Sequence, residues 1–222
     1  MRSLPSLVAL GAAAVAAGLV VPSPARAQVN SDLGLSVGGS KRFTTGAEAG
    51  NPGFGPVFQL QGHLAIFPMV RVGLYAAADI SPMSGFGGRQ FYVGGLHIKL
   101  TPPLLSAPWK TYAFTGFGAG YARQDSYPGP GLALSGQPVT VPYDSTDGAL
   151  FEVPVGVGLA YRMRAPWEVF VELAGRFGVA FLGRLYDPNN TAQSNQPGGP
   201  SGPFLGQDTV ALTLSAGVSW SD

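Results

Sequence analysis

Eight ionisable residues stand at the polar positions of stretches whose other positions are apolar: Arg71, Asp79, Lys99, Glu152, Arg162, Glu168, Glu172 and Arg176. Gln59, Gln61, His63 and His97 occupy positions of the same kind. Four of the eight are basic and four acidic, so a space that held them all would be electrically neutral. Such a set has two uses. It can form a plug of paired charges, because an unpaired buried charge is costly, or it can line a path for ions. Other chemistry finds less support. The absence of cysteine excludes thiolate catalysis, cysteine zinc sites and disulfides. The two histidines have no acidic or histidine neighbour at ligand spacing, so no metal and no cofactor is expected. No serine, histidine and acid set is legible, so no catalytic residue is assigned and the chain is not expected to be an enzyme. Residues 34–41, GLSVGGSK, hold the glycines and lysine of a phosphate loop in the wrong order.

The elements that position these residues are strands. In residues 167–181, WEVFVELAGRFGVAF, Val169, Val171, Leu173, Phe177, Val179 and Phe181 alternate with Glu168, Glu172 and Arg176. A period of two gives a strand with two unlike faces. Residues 70–80 are the cleanest case, with Val70, Val72, Leu74, Ala76, Ala78 and Ile80 set against Arg71, Tyr75 and Asp79. Further strands are read at 32–40, 57–67, 89–100, 110–123, 149–162 and 208–220, eight in all. In 110–123 the set Tyr112, Phe114, Gly116, Gly118 and Gly120 is placed inward. Phe91 and Val93 also fall inward in 89–100. Pro154 lies within 149–162 and is expected to mark a bulge, because a proline demotes a strand that has no free edge to occupy. Apart from the ambiguous 110–123, no charged residue falls on the apolar face. The stretches between strands alternate: polar and long at 41–55, 124–147 and 182–206, short and proline-bearing on the other side.

The charged fraction is 11% and the hydrophobic fraction 45%, with 33 glycines and 20 prolines. Ordinary soluble domains carry about 25% charged residues. The only apolar run of any length is at the N-terminus. Arg2, the apolar stretch 7–21, the prolines at 22 and 24 and the Ala25-Arg26-Ala27 site read as a signal peptide over 1–27. Loss of Arg2 and Arg26 with it takes the formal charge from +1 to −1, which argues against a nucleic-acid partner. Apolar composition without spanning helices is what alternation in a membrane barrel produces. The fold expected for 28–222 is therefore all-β, an eight-stranded antiparallel transmembrane up-and-down β-barrel with lipid outside. Trp109, Tyr112, Tyr121, Tyr161, Trp167, Phe181 and Trp220 fall near strand ends, where an interfacial girdle belongs.

The signal segment, the eight strands, the loop asymmetry and the closing stretch Leu214-Ser215-Ala216-Gly217-Val218-Ser219-Trp220 resemble the small outer-membrane β-barrels of Gram-negative bacteria, of the OmpA-transmembrane-domain and OmpX kind. The resemblance implies an outer-membrane location. It implies Trp220 as an assembly signal read by the barrel assembly machinery, although Ser221 and Asp222 follow it. It also implies membrane lipid and lipopolysaccharide as surroundings, and a monomer. With the N-terminus periplasmic, Asp79, Glu152 and Arg176 lie toward the outside, Glu172 near the middle, and Arg71, Lys99, Arg162 and Glu168 toward the periplasm. The expected role is structural or surface-interacting, with a plugged lumen and an unidentified external partner. The alternatives are a narrow channel for ions or small solutes, a soluble lipocalin-like binder, and a lipid-modifying enzyme.

Overall fold

The computed structural model describes residues 30–44, 54–83, 86–132, 137–143, 145–183 and 208–221. The expected signal segment, residues 184–206 of the last expected loop and the side chain of Phe181 lie outside the described residues. The described strands are β1 (Ser31–Thr44), β2 (Phe54–Phe67), β3 (Val70–Met83), β4 (Phe86–Leu100), β5 (Trp109–Gln124), β6 (Tyr127–Leu132), β7 (Pro138–Tyr143), β8 (Thr146–Arg164), β9 (Trp167–Gly183) and β10 (Asp208–Ser221). Eight of them close into a barrel in the order β1-β10-β9-β8-β5-β4-β3-β2. All its neighbours are antiparallel, and β1 meets β10 from Asp32↔Ser221 to Thr44↔Thr209.

Closure follows from the alternation. Every barrel strand turns its apolar set outward: Leu35, Val157 and Leu214 are 59%, 57% and 56% exposed, whereas Asp79 and Glu152 are fully buried. This inverts the polarity of a soluble protein, and among the described residues no helix is long and apolar enough to cross a membrane. Between the rims no outward position carries a charge among the described residues. Lys41, Arg123 and Asp147 face outward only near the loop ends of their strands. At the turn end the exposed rings of Trp109, Trp167 and Trp220 form a belt. Trp109 packs edge-on against Tyr161 at 4.8 Å, and Trp167 lies opposite Trp220. Tyr121 marks the other rim of β5. At ~3.3 Å per residue and a ~45° tilt, the span from Trp109 to Tyr121 is roughly 25–30 Å, close to the apolar band of such barrels. Tyr112, expected in the belt, is instead buried in the lumen, as the inward face of β5 requires.

Three local expectations are revised. β1 and β2 run past the expected strand ends, to Thr44 and from Phe54, and so bring Arg42 onto the inner face. The stretch 124–147 is not all loop. It contains the β6–β7 ribbon, which pairs with itself and not with the barrel. Pro154 makes no bulge. The β5–β8 register is the same on both sides of it, Thr115↔Val155 and Gly118↔Glu152, and only the two rungs between are missing. A proline removes a donor, and here the ladder skips it without inserting a residue. The register shifts of β8 against β9 fall elsewhere, at Ala149/Leu150 and Arg162/Arg164.

An inside-out barrel predicts the sign of a substitution. Leu214→Arg, mid-strand and outward, should cost about 2–4 kcal/mol of unfolding free energy in detergent or lipid, and Leu33→Arg at the rim about 0–1. Urea titration of the refolded protein measures both. A soluble barrel would tolerate the two equally.

Candidate functional site

An eight-stranded barrel is just wide enough for its own side chains, and this lumen is filled. Two apolar clusters pack inside it, one of Tyr75, Ala77, Phe91, Val93, Ala122 and Leu150, the other of Tyr112, Phe114, Ala160, Phe170 and Ala174. Glycines make room for the rings. A Cβ at Gly158 would overlap the Tyr112 ring, and one at Gly156 the Phe114 ring. The polar residues lie between and beyond these clusters in three groups.

The loop-end group joins four strands across the lumen. Arg42 of β1 reaches Asp79 of β3 at 3.2 Å and Glu152 of β8 at 3.1 Å. Arg176 of β9 donates from Nε to Glu152 at 2.7 Å, and its Nη1 lies 3.8 Å from Asp79. All four side chains are at most 2% exposed. Ser40 and Ser81 donate to the two oxygens of Asp79, and the Arg42 guanidinium sits 4.0 Å from the Phe91 ring centre. Two cations and two anions cancel, and each carboxylate meets both guanidiniums or an added hydroxyl. That is the condition under which buried charge is tolerated.

In the middle, Gln61 and Tyr112 both donate to Glu172 Oε1, at 3.0 and 2.9 Å. A small cavity lined in part by Gln59, Tyr75, His97 and Arg176 adjoins them. It has room for roughly one water molecule.

At the turn end, Asp32 of β1 accepts from Arg71 through Oδ2 and from His63 Nδ1 through Oδ1 at 2.6 Å. His63 Nε2 lies 2.8 Å from His97 Nδ1. Asp32, paired with Arg71, is an acceptor, so His63 donates from Nδ1. Its Nε2 and His97 Nδ1 share one proton between them, in a direction set by the tautomers. Across the mouth Glu168 pairs with Lys110 and, at 2.8–2.9 Å, with Arg162. Lys99 lies 4.6 Å from the centre of the Tyr112 ring.

All twelve residues singled out from the sequence for the lumen fall on the inner face. Arg162 is half exposed at the mouth, and Gln59 lines the cavity. The sequence reading missed Arg42, Asp32 and Lys110. Asp32 shares its phase with Ser36 and Ser40, and Lys110 shares its phase with Tyr112. That signal was present. Arg42 is hidden because the alternation read alone ends the strand at Ser40, whereas β1 runs to Thr44. Trp220 lies on the outer face of β10, 38% exposed. No group of three or more His, Cys, Asp or Glu among the described residues is placed to hold a metal.

Closed, antiparallel, apolar outside and ion-paired inside, the protein is an eight-stranded barrel of the outer-membrane type. No family model matches the sequence, and no curated protein matches it. Solved structures match the fold. Neisserial surface protein A superposes with a TM-score of 0.52 at 13% identity, covering 86% of this chain and 96% of that one. Ail, the attachment invasion locus protein of Yersinia pestis, gives 0.47 at 12% identity, covering 87% and 99%. The N-terminal barrel domain of Pseudomonas aeruginosa OprF gives 0.42 at 9% identity, covering 88% and 100%. The likeness is one of fold.

The two ends of the lumen predict different costs. Glu152→Gln leaves two buried guanidiniums short of a counter-charge and should destabilise by about 3–5 kcal/mol. Arg162→Gln removes a rim pair and should cost about 1 kcal/mol or less. Equal urea midpoints for the two variants would mean that the four-charge group does not hold the barrel.

Proposed function

We propose that this protein is an outer-membrane barrel with a closed lumen, non-enzymatic, acting through its exterior and its external loops. The observation that carries this reading is the group of Arg42, Asp79, Glu152 and Arg176, which spans the lumen from four strands and is sealed on one side by Phe91. Its charges are committed to one another, which suits a plug and leaves no group poised as acid or base. The exposed apolar belt supports a place in the membrane, and the outer-membrane neighbours of the fold support the outer one. Assembly through Trp220 and contact with lipopolysaccharide accord with that place. The stretch holding the β6–β7 ribbon, together with the connection between β9 and β10, then offers the surface for an outside partner, as exposed loops on a rigid scaffold commonly do.

Planar-bilayer recording tests the closed lumen. The wild-type barrel, with insertion confirmed independently, should show no discrete conductance. Reproducible small steps that change in Glu172→Gln or Arg176→Gln would make the lumen a pathway for ions and overturn the reading in favour of a narrow channel.

A further inference from the structure

The turn-end mouth is not balanced as the loop end is. Four strands that are neighbours in the barrel, β8, β5, β4 and β3, contribute Arg162, Lys110, Lys99 and Arg71 in that order. The result is a continuous basic arc. Two carboxylates flank it, Glu168 on β9 and Asp32 on β1. Glu168 serves Lys110 and Arg162 at one end. Asp32 serves Arg71 at the other, and its second oxygen is taken by His63. The middle of the arc is left over. Lys99 is nine-tenths buried and, among the described residues, has no carboxylate within ion-pair distance; its ammonium lies over the Tyr112 ring, and Asp32 and Glu172 act on it only from beyond contact. Lys99 also stands directly opposite Arg71 in the β3–β4 ladder. Like charges so placed repel. The nearest acid deeper in the lumen, Glu172, is held by Gln61 and Tyr112.

We infer that this mouth is a binding site for a small, freely diffusing oxyanion of the phosphate class, centred on Lys99. Four basic side chains stand there against Asp32 and Glu168, with Glu172 the next acid inward. An anion between Lys99 and Arg71 would give Lys99 the contact partner that Asp32, bound to Arg71 and His63, does not provide. An oxyanion suits the arc better than a halide, because its several oxygens can meet an ammonium and a guanidinium fork at once. Lys99 lies inside the wall of strands, so a lipid headgroup does not reach it.

The test uses the full barrel in a zwitterionic detergent that has no phosphate headgroup. Its thermal midpoint is followed as inorganic phosphate rises at constant ionic strength, the balance being a bulky organic anion. A ligand that binds only the folded state raises the midpoint. The wild type and the exterior control Lys41→Met should show the shift, Lys99→Met should lose it, and Lys99→Arg should regain most of it. Equilibrium dialysis of the wild type against labelled phosphate, expected at one site per barrel, gives a reading that needs no variant to fold. No shift and no bound phosphate would overturn the proposal, and so would a shift that survives in Lys99→Met. An equal shift with chloride would overturn the oxyanion assignment.

Discussion

Every amide that enters the hydrocarbon layer must find its partner within the protein. In this chain the obligation is met by one ladder that returns on itself, and the rest of the structure follows from that closure. The last strand lies against the first along its whole length, with Trp220 beside Leu33 and Thr209 beside Thr44. Only eight strands take part, so the enclosed space is narrow. A narrow space admits side chains and little else. Hence the alternation of large rings with glycines inside, where Tyr112 lies over Gly158 and Phe114 over Gly156. Pro154 fits the same frame. Two rungs are lost without a change of register, because the neighbouring rungs hold the strands in place.

Closure also decides what the interior must be. Strands of period two that give one face to lipid give the other to the lumen, and that face carries the polar half of the sequence. The charges cannot be left to water, so they must answer one another. At the loop end two guanidiniums and two carboxylates do so, and each residue of the four comes from a different strand. A pair joining adjacent strands would tie only those two. A group shared by β1, β3, β8 and β9 fixes the cross-section of the barrel. At the turn end the pairs also cross the lumen, Lys110 of β5 to Glu168 of β9 and Arg71 of β3 to Asp32 of β1, but they form two separate groups. Arg162 and Glu168 are partners across one ladder, and the sum of charges is positive. The two mouths of one lumen thus differ in kind, one a lock and the other a basic recess.

Much of this could be read from the chain alone, and what could not be read has physical reasons. The strand at residues 70–80 was unmistakable because both of its faces are pure in type. The inward placing of the apolar Phe91 and Val93 is required: they meet Leu150 and Ala122 in an apolar cluster within the lumen. Arg42 is not legible because Lys41 and Arg42 together have the pattern of a polar loop's start. Lys41 in fact faces outward near the rim and Arg42 faces in. Phase assigns a residue to a face, but not to a partner. No pattern along the chain announces that Arg42 and Glu152, far apart in sequence, share a contact at 3.1 Å. Such contacts depend on the order of strands around the barrel and on their stagger, which period alone does not encode.

The β6–β7 ribbon shows the same constraint from the other side. Standing apart from the barrel, it has two edges that closure does not remove. Open edges invite a further strand. In its register Pro128 faces Pro142, Pro130 faces Thr140, and Leu132 faces Pro138. Proline has no N–H to give, so the rungs must be carried by the pairs between, Tyr127↔Tyr143, Gly129↔Val141 and Gly131↔Val139. The proline-bearing positions therefore point their backbone away from the ribbon. Along its two edges only Leu132 and Thr140 retain a donor. Within the membrane this chain disposes of its edges by joining them. Beyond the barrel, where no described strand joins them, it removes the donors instead.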